Sequence, residues 1–363
     1  MMRDIRISIA SIVTFLLCIG VVMIYSSSGI YALQELGDGA YYLNRHLMFL
    51  VIGAALCYAA MRIDYRDLRK WAKPLLGIAF LLLVLVLIPG IGRSISGARR
   101  WFQFEGFSFQ PSEFAKLALL IYVSDYLARK QNKISDFWTG FLPVIMVLGG
   151  MAFLVVKQPD FGSSVLLGVI VMLLLFLSGA RLSHIGGLAL MALPVLILLV
   201  AKSPYRMARI MAFLDPWQDS KGIGFQLTQS QIALGTGGFW GVGLGKSVQK
   251  LFYLPAAHTD FILSIIGEEL GFVGTTLVIL LFAAFIWQGA RVAKKTADPF
   301  GYYLASGIVA MIGFQAAINI GVSIGALPTK GLPLPFVSYG GSALIFHMAA
   351  VGLLLNISRV QDL

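Results

Sequence analysis

Charge is what this sequence has least of. Only 12% of its 363 residues are Asp, Glu, Lys or Arg, while 58% are hydrophobic. A soluble domain carries about twice that charge and roughly 45 to 50% apolar residues, so a water-exposed globular fold is excluded. The mean hydropathy of +0.84 points the same way, to an integral membrane protein. Cysteine is nearly absent as well. Cys18 and Cys57 both lie inside apolar runs with no second pair at ligand spacing, which excludes a disulfide framework and a zinc site. Acidic residues are outnumbered 17 to 28 by Lys and Arg. The basic residues are scattered over many loops rather than gathered in a block, so anionic lipid is the expected partner and nucleic acid is not.

Long apolar runs are what the chain has in abundance. Candidate spans cover residues 7–25, 46–61, 74–91, 112–127, 141–156, 163–177, 182–201, 260–287, 302–326 and 338–357. Each is close to the ~20 residues that cross a hydrocarbon core. The first follows Arg3 and Arg6 as a signal peptide would, but its length and the lack of a small-x-small cleavage site favour an uncleaved span. The expected fold is an all-α membrane domain over residues 1–363 with about ten transmembrane helices. One large extracytoplasmic loop, residues 202–259, separates the seventh and eighth helices.

Cytoplasmic termini place Arg62, Arg66, Arg69, Lys70 and Lys73, then Arg129, Lys130 and Lys133, then Arg291, Lys294 and Lys295 in short inner loops. That is the side on which basic residues accumulate. The outer side keeps Arg93, Arg99 and Arg100 in one loop, and Lys202, Arg206, Arg209, Lys221, Lys246 and Lys250 in the long segment. Some of these side chains are expected to snorkel to lipid phosphates and others to meet a ligand. The long segment is also rich in Phe, Leu and Trp, from Phe213 and Trp217 to Phe252 and Tyr253, which suggests interfacial helices folded against the bilayer.

Asp260, Glu268 and Glu269 stand at the mouth of an apolar run, where a carboxylate costs about 2.5 to 3.5 kcal/mol and needs a reason. In a helix starting near Asp260, that residue shares a stripe with Ser264, Gly267, Gly271 and Gly274, which either lines a cavity or packs tightly. Glu268 and Glu269 fall off the stripe, at about 100° per residue, and are expected to tie helices together. Glu113 and Lys116 are three apart, so a buried pair and a substrate contact by Lys116 are both open. Asp160 follows Pro159, which suits a helix N-cap or a site residue. Gly241 to Ser247 looks like a phosphate loop, but Trp240 stands where the first glycine is required, so a nucleotide site is rejected. Its glycines and Lys246 are still suited to bounding a groove for a phosphorylated lipid.

The motifs GRSISGARRW (92–101), FQPSEFAK (109–116), QPDFG (158–162), FLDPW (213–217), HTDF (258–261) with GEELG (267–271), and LPLPFVSYGGS (332–342) together carry a resemblance over nearly the whole chain. It is identified as a member of the SEDS family (shape, elongation, division and sporulation) of bacterial cell-wall polymerases. PTKG at 328–331 and the alanine of AHTD at 257–260 lean toward the FtsW branch rather than the RodA branch. Two departures are Ala256, where the family often has glutamate, and Ser96, where asparagine is usual. The resemblance implies a peptidoglycan glycosyltransferase of the inner membrane that polymerises lipid II on the outer face, with Asp260 as the catalytic base and undecaprenyl pyrophosphate as leaving group. It further implies a class B penicillin-binding protein and other division proteins as partners. Arg99, Arg100, Lys116, Asp160, Lys246, Lys250 and His258 are the candidate substrate-binding residues, and a divalent cation, Mg or Mn, is a possible helper. Glu113, Glu268 and Glu269 are expected to be structural. A lipid II flippase and a non-catalytic division scaffold are the competing readings. The first would want its polar site at the bilayer midplane, and the second leaves the outer charges unexplained.

Overall fold

The computed structural model describes residues 2–95, 97–104 and 107–360; Ser96 therefore lies outside the described residues. Among the described residues the regular structure is helical except for one small sheet. The elements run α1 (Met2–Leu36), α2 (Tyr41–Arg62), α3 (Leu68–Leu85), β1 (Arg93–Ile95), β2 (Ala98–Phe104), β3 (Phe107–Phe109), α4 (Pro111–Arg129), α5 (Leu142–Lys157) and α6 (Phe161–Leu177). They continue with α7 (Leu182–Ala201), α8 (Pro204–Leu214), α9 (Phe225–Gly237), α10 (Ile262–Lys295), α11 (Pro299–Ser323) and α12 (Gly341–Val360). Among the described residues, α1, α2, α7, α10, α11, α12 and the helical stretch Phe137–Lys157 ending in α5 are long and apolar enough to cross a membrane. The charged residues of α3 and α4, and the 17-residue length of α6, keep those three below that measure.

Helix starts follow local chemistry. Pro111 and Pro299 occupy first-turn positions, where a missing N–H costs nothing. Asp160 and Asp298 accept from Ser163 N and Gly301 N at 3.1 Å each, so Asp160 is an N-cap. Helices α11 and α12 form the buried centre, with α2 laid along α12, α4 along α3, and α1 along α10. Helix α7 is peripheral and has no buried residue.

Two expectations need correction, while the helices expected within the long segment are found. The loop holding Arg99 and Arg100 is a three-stranded antiparallel sheet in the order β1-β2-β3. The 202–259 segment contributes α8 and α9, and α9 packs along α10. The stripe expected below Asp260 is not continuous: α10 starts at Ile262, and Gly271, with φ of 67°, interrupts it. Of the two alternatives for these residues, tight packing is the one seen, although not along one unbroken helix. Gly237 and Gly267 let α9 and α10 touch backbone to backbone, and Ser264 hydrogen-bonds Ser230 of α9 at 2.6 Å. The glycine run at 241–245 wraps the kink, with Val242 N and Gly243 N donating to the carbonyls of Glu268 and Glu269 at 2.9 and 3.0 Å. Those amides are spent on α10 and cradle no phosphate.

Candidate active site

Asp260 sits in the turn before α10, at the end of the bundle that also carries the sheet, α8 and the 324–340 connection. Asn319 of α11 holds it there. The buried Asn319 amide donates to the Asp260 carbonyl at 2.8 Å and to the Leu332 carbonyl at 2.9 Å, tying two connecting segments to one helix. One turn earlier, Gln315 donates to the Pro333 carbonyl at 2.9 Å and accepts from Lys116 at 2.9 Å. Ser338 closes the arrangement by donating to the Thr259 carbonyl at 2.6 Å.

The Asp260 carboxyl is partly covered, and burial pushes its pKa up to about 6; Arg209 and Arg100 pull it down, and Asp160 adds to the rise. Five chain segments thus meet around one carboxylate. Arg100 of β2 donates to the carbonyls of Gln158 and Pro159 at 2.8 and 2.5 Å. Arg209 of α8 donates to the Thr329 carbonyl at 3.0 Å. Asp160 also accepts from the Ser163 hydroxyl at 2.8 Å, and Gln110 reaches it at 3.4 Å. Lys330 and Arg206 both lie over the Phe161 ring, at 5.6 and 5.2 Å from its centroid. A Cβ at Gly331 would meet the Asp260 carboxylate at 3.4 Å, so the backbone of the 329–331 turn passes close to it. A partly desolvated carboxylate ringed by cations is suited to taking a proton beside a group that develops negative charge.

The other sequence candidates are placed elsewhere. Lys116 is fully buried, 2.8 Å from Glu113, with Gln315 as its second partner, so its donors are turned into the bundle. Lys250 is also no surface cation. It pairs with Glu269 at 2.7 Å and touches Ser26 at 3.0 Å, because a carboxylate buried against α1 needs a counter-charge. Glu269 also accepts from the Ser26 hydroxyl at 2.7 Å, joining α10 to α1. Glu268 accepts from the Ser247 hydroxyl and from Val248 N at 2.9 Å, pinning the 247–249 turn. Arg99 and Lys246 are exposed, and His258 lies against Tyr42 with ring centroids 4.6 Å apart. Among the described residues there is no group of three His, Cys, Asp or Glu side chains placed to hold a metal ion.

Sequence reading passed over Arg209, Lys330, Gln315 and Asn319 as site residues. The last two did leave a signal: a pair of amides four apart in an apolar helix is costly unless both find partners.

A multi-pass membrane protein with one carboxylate and several cations gathered at one end of its helices is the class these features define. The chain belongs to the FtsW, RodA and SpoVE family of cell cycle proteins, whose model matches residues 7–363. It is 49% identical, over 94% of its length and 92% of the relative's, to a probable peptidoglycan glycosyltransferase FtsW of Geobacter metallireducens. Its fold matches a chain of a peptidoglycan synthase complex that coordinates polymerization and crosslinking, with a TM-score of 0.77, 30% identity and coverage of 96% and 97% of the two chains. It also matches the rod shape determining protein RodA of Thermus thermophilus, with a TM-score of 0.73, 29% identity and coverage of 98% and 97%.

Proposed function

We propose that this protein is a peptidoglycan glycosyltransferase that polymerises lipid II into glycan strands during cell division, with Asp260 as general base and undecaprenyl pyrophosphate as leaving group. The observation that carries the reading is Asp260 itself, with its carboxyl raised to about 6 and Arg100 and Arg209 beside it. The acceptor sugar's hydroxyl gives its proton to Asp260 as its oxygen forms the new glycosidic bond with inversion. The bond to pyrophosphate breaks on the opposite face, and the departing charge falls to Arg100, Arg209 and Lys330. A pyrophosphate leaves without protonation, so no second carboxylic acid is required. Asp160 holds the α6 terminus and the field around the base.

The topology that suits this chemistry has ten crossings, α1 to α7 and α10 to α12, in one membrane domain. Both termini lie in the cytoplasm, the 202–259 segment lies outside, and the site opens at the outer face of the bacterial inner membrane. Supporting it are the basic short loops of the opposite end and the position of Asp260 with α8 and the sheet. A class B penicillin-binding protein and other division proteins are the partners proposed, in keeping with the synthase complex whose chain this one resembles. The test is reconstitution of the purified protein in liposomes with lipid II, with and without that partner. Glycan strands and released undecaprenyl pyrophosphate are expected; lipid II scrambling with no polymer would replace this reading with a flippase.

A further inference from the structure

Two arginines of the sheet stand apart from the cations that pull on Asp260, which are Arg209 and Arg100. Arg93 and Arg99 line a cavity of about 430 Å³ whose other walls are the 90–92 turn, Ser94 and Gln103. Backbone shape makes this space. Gly90 has φ of 93°, and a Cβ at Gly92 would collide with the Val86 carbonyl, so the turn needs glycine at both places. Arg93 pairs with Trp101 and Ser94 with Arg99, which leaves Arg100 as the extra residue of a bulge, a device that re-aims neighbouring side chains. Arg100 accordingly bonds the carbonyls of Gln158 and Pro159, while Arg99 lines the cavity. Among the described residues that line it, none is acidic.

An apolar path leads to the same place. Ile78, Leu81 and Val84 fall within about a third of the circumference of α3, at ~100° per residue, opposite its buried face of Ala72, Leu76, Ala79 and Leu83. Ile88 and Ile91 continue that surface beyond the helix, and Ile91 lines the cavity; all five side chains are 41 to 56% exposed. A hydrocarbon surface that ends at a pair of guanidinium groups suits a ligand with an apolar tail and an anionic head, and guanidinium groups bind phosphate oxygens in pairs.

We propose that this cavity binds the phosphate of an anionic glycerophospholipid of the outer leaflet, with Arg93 and Arg99 on the phosphate, Ser94 and Gln103 on the headgroup hydroxyls, and an acyl chain along the α3 surface. A soluble peptide or sugar would leave that surface uncovered. The departing pyrophosphate has its own cations, Arg100, Arg209 and Lys330, none of which lines this cavity. The inference uses the proposed topology, which puts the sheet at the outer face, and not the proposed chemistry. Because β2 carries both Arg99 and Arg100, a lipid held here also steadies the strand that brings Arg100 to the site.

The test is native mass spectrometry of the full chain in detergent, titrated with phosphatidylglycerol or with phosphatidylcholine of the same acyl chains. Wild type should retain phosphatidylglycerol in preference. Arg93→Gln and Arg99→Gln should each weaken that binding about fivefold, the scale of one basic residue near anionic lipid, and the double variant should weaken it further. Lys221→Gln, which removes an exposed cation of the 202–259 segment, should bind as wild type does. All four changes are at exposed side chains, so melting of each variant alongside wild type shows that the fold is kept. Equal retention of the two lipids by wild type, or equal phosphatidylglycerol binding by wild type and the double variant, overturns the proposal. Displacement of phosphatidylglycerol by equimolar undecaprenyl phosphate would give the cavity to the carrier lipid and overturn the choice of occupant.

Discussion

The side-chain amide of Asn319 donates to the backbone carbonyl of Asp260 at 2.8 Å, and the same nitrogen reaches Leu332. A residue near the C-terminal end of the hydrophobic helix α11 thus fixes where the reactive carboxylate stands. Its role is positioning, since it touches the backbone of Asp260 and not the reacting atoms. Asn319→Leu should lower kcat by about 10- to 100-fold, the scale of a displacement near 1 Å, with little change in KM. Steady-state rates against lipid II concentration check this; a large rise in KM with kcat unchanged would mean that Asn319 serves binding.

Proton uptake by Asp260 sets the acid limb of the pH profile. A general base acts only when ionised, so turnover should rise with pH through about 6 and level off above it. Arg209 lowers that pKa, so Arg209→Gln should move the limb to higher pH; Asp160 raises it, so Asp160→Asn should move it lower. Stability runs in the opposite sense at this residue. With its folded pKa above the unfolded value of 3.8, Asp260 binds more protons folded than unfolded, so its contribution falls as pH rises from about 4 to about 6. Profiles of kcat/KM for the three proteins decide the matter.

The Glu113–Lys116 pair is buried, with 3% and 1% of the side chains exposed. Truncating either partner leaves an uncompensated charge and should cost about 3 to 5 kcal/mol, while removing both recovers part of the loss. A double-mutant cycle of melting in detergent measures the coupling. Additive losses would release Lys116 for a role at the substrate.

Lys250 and Lys246 separate structure from chemistry within one turn of chain. Lys250→Met strands Glu269 in the interior and should lower stability by about 3 to 5 kcal/mol. Lys246 is exposed, and Lys246→Gln should leave melting unchanged. Thermal melts of the two variants side by side provide the check.

Much of this was readable from sequence because a bilayer imposes a simple rule: apolar runs become helices and stray charges need partners. The apolar runs around residues 182–201 and 302–326 reappear as α7 and α11, and Asp260 stood out as a carboxylate at the head of an apolar run. What escaped depends on contacts between distant segments. Gly271 reads as one more small residue on a stripe until Gly241 and Phe239 are seen packed against its backbone. Lys250 and Arg209 are both basic residues of the same long segment; only tertiary structure shows that one is buried beside Glu269 and the other stands beside Asp260. The sheet at 93–109 is too short for period-two patterning to announce it.

The central claim is that Asp260 is the base of a lipid II polymerase, and the most direct measurement is glycan synthesis from pure lipid II by wild type and Asp260→Asn in the same liposomes. The substitution keeps the side chain's shape and leaves the backbone bond from Asn319 intact. Strand formation should fall by roughly the 10² to 10⁴-fold that general-base catalysis typically supplies, with a melting temperature no lower than that of wild type, since Asn carries no buried charge. Polymerisation by Asp260→Asn at the wild-type rate would contradict the account.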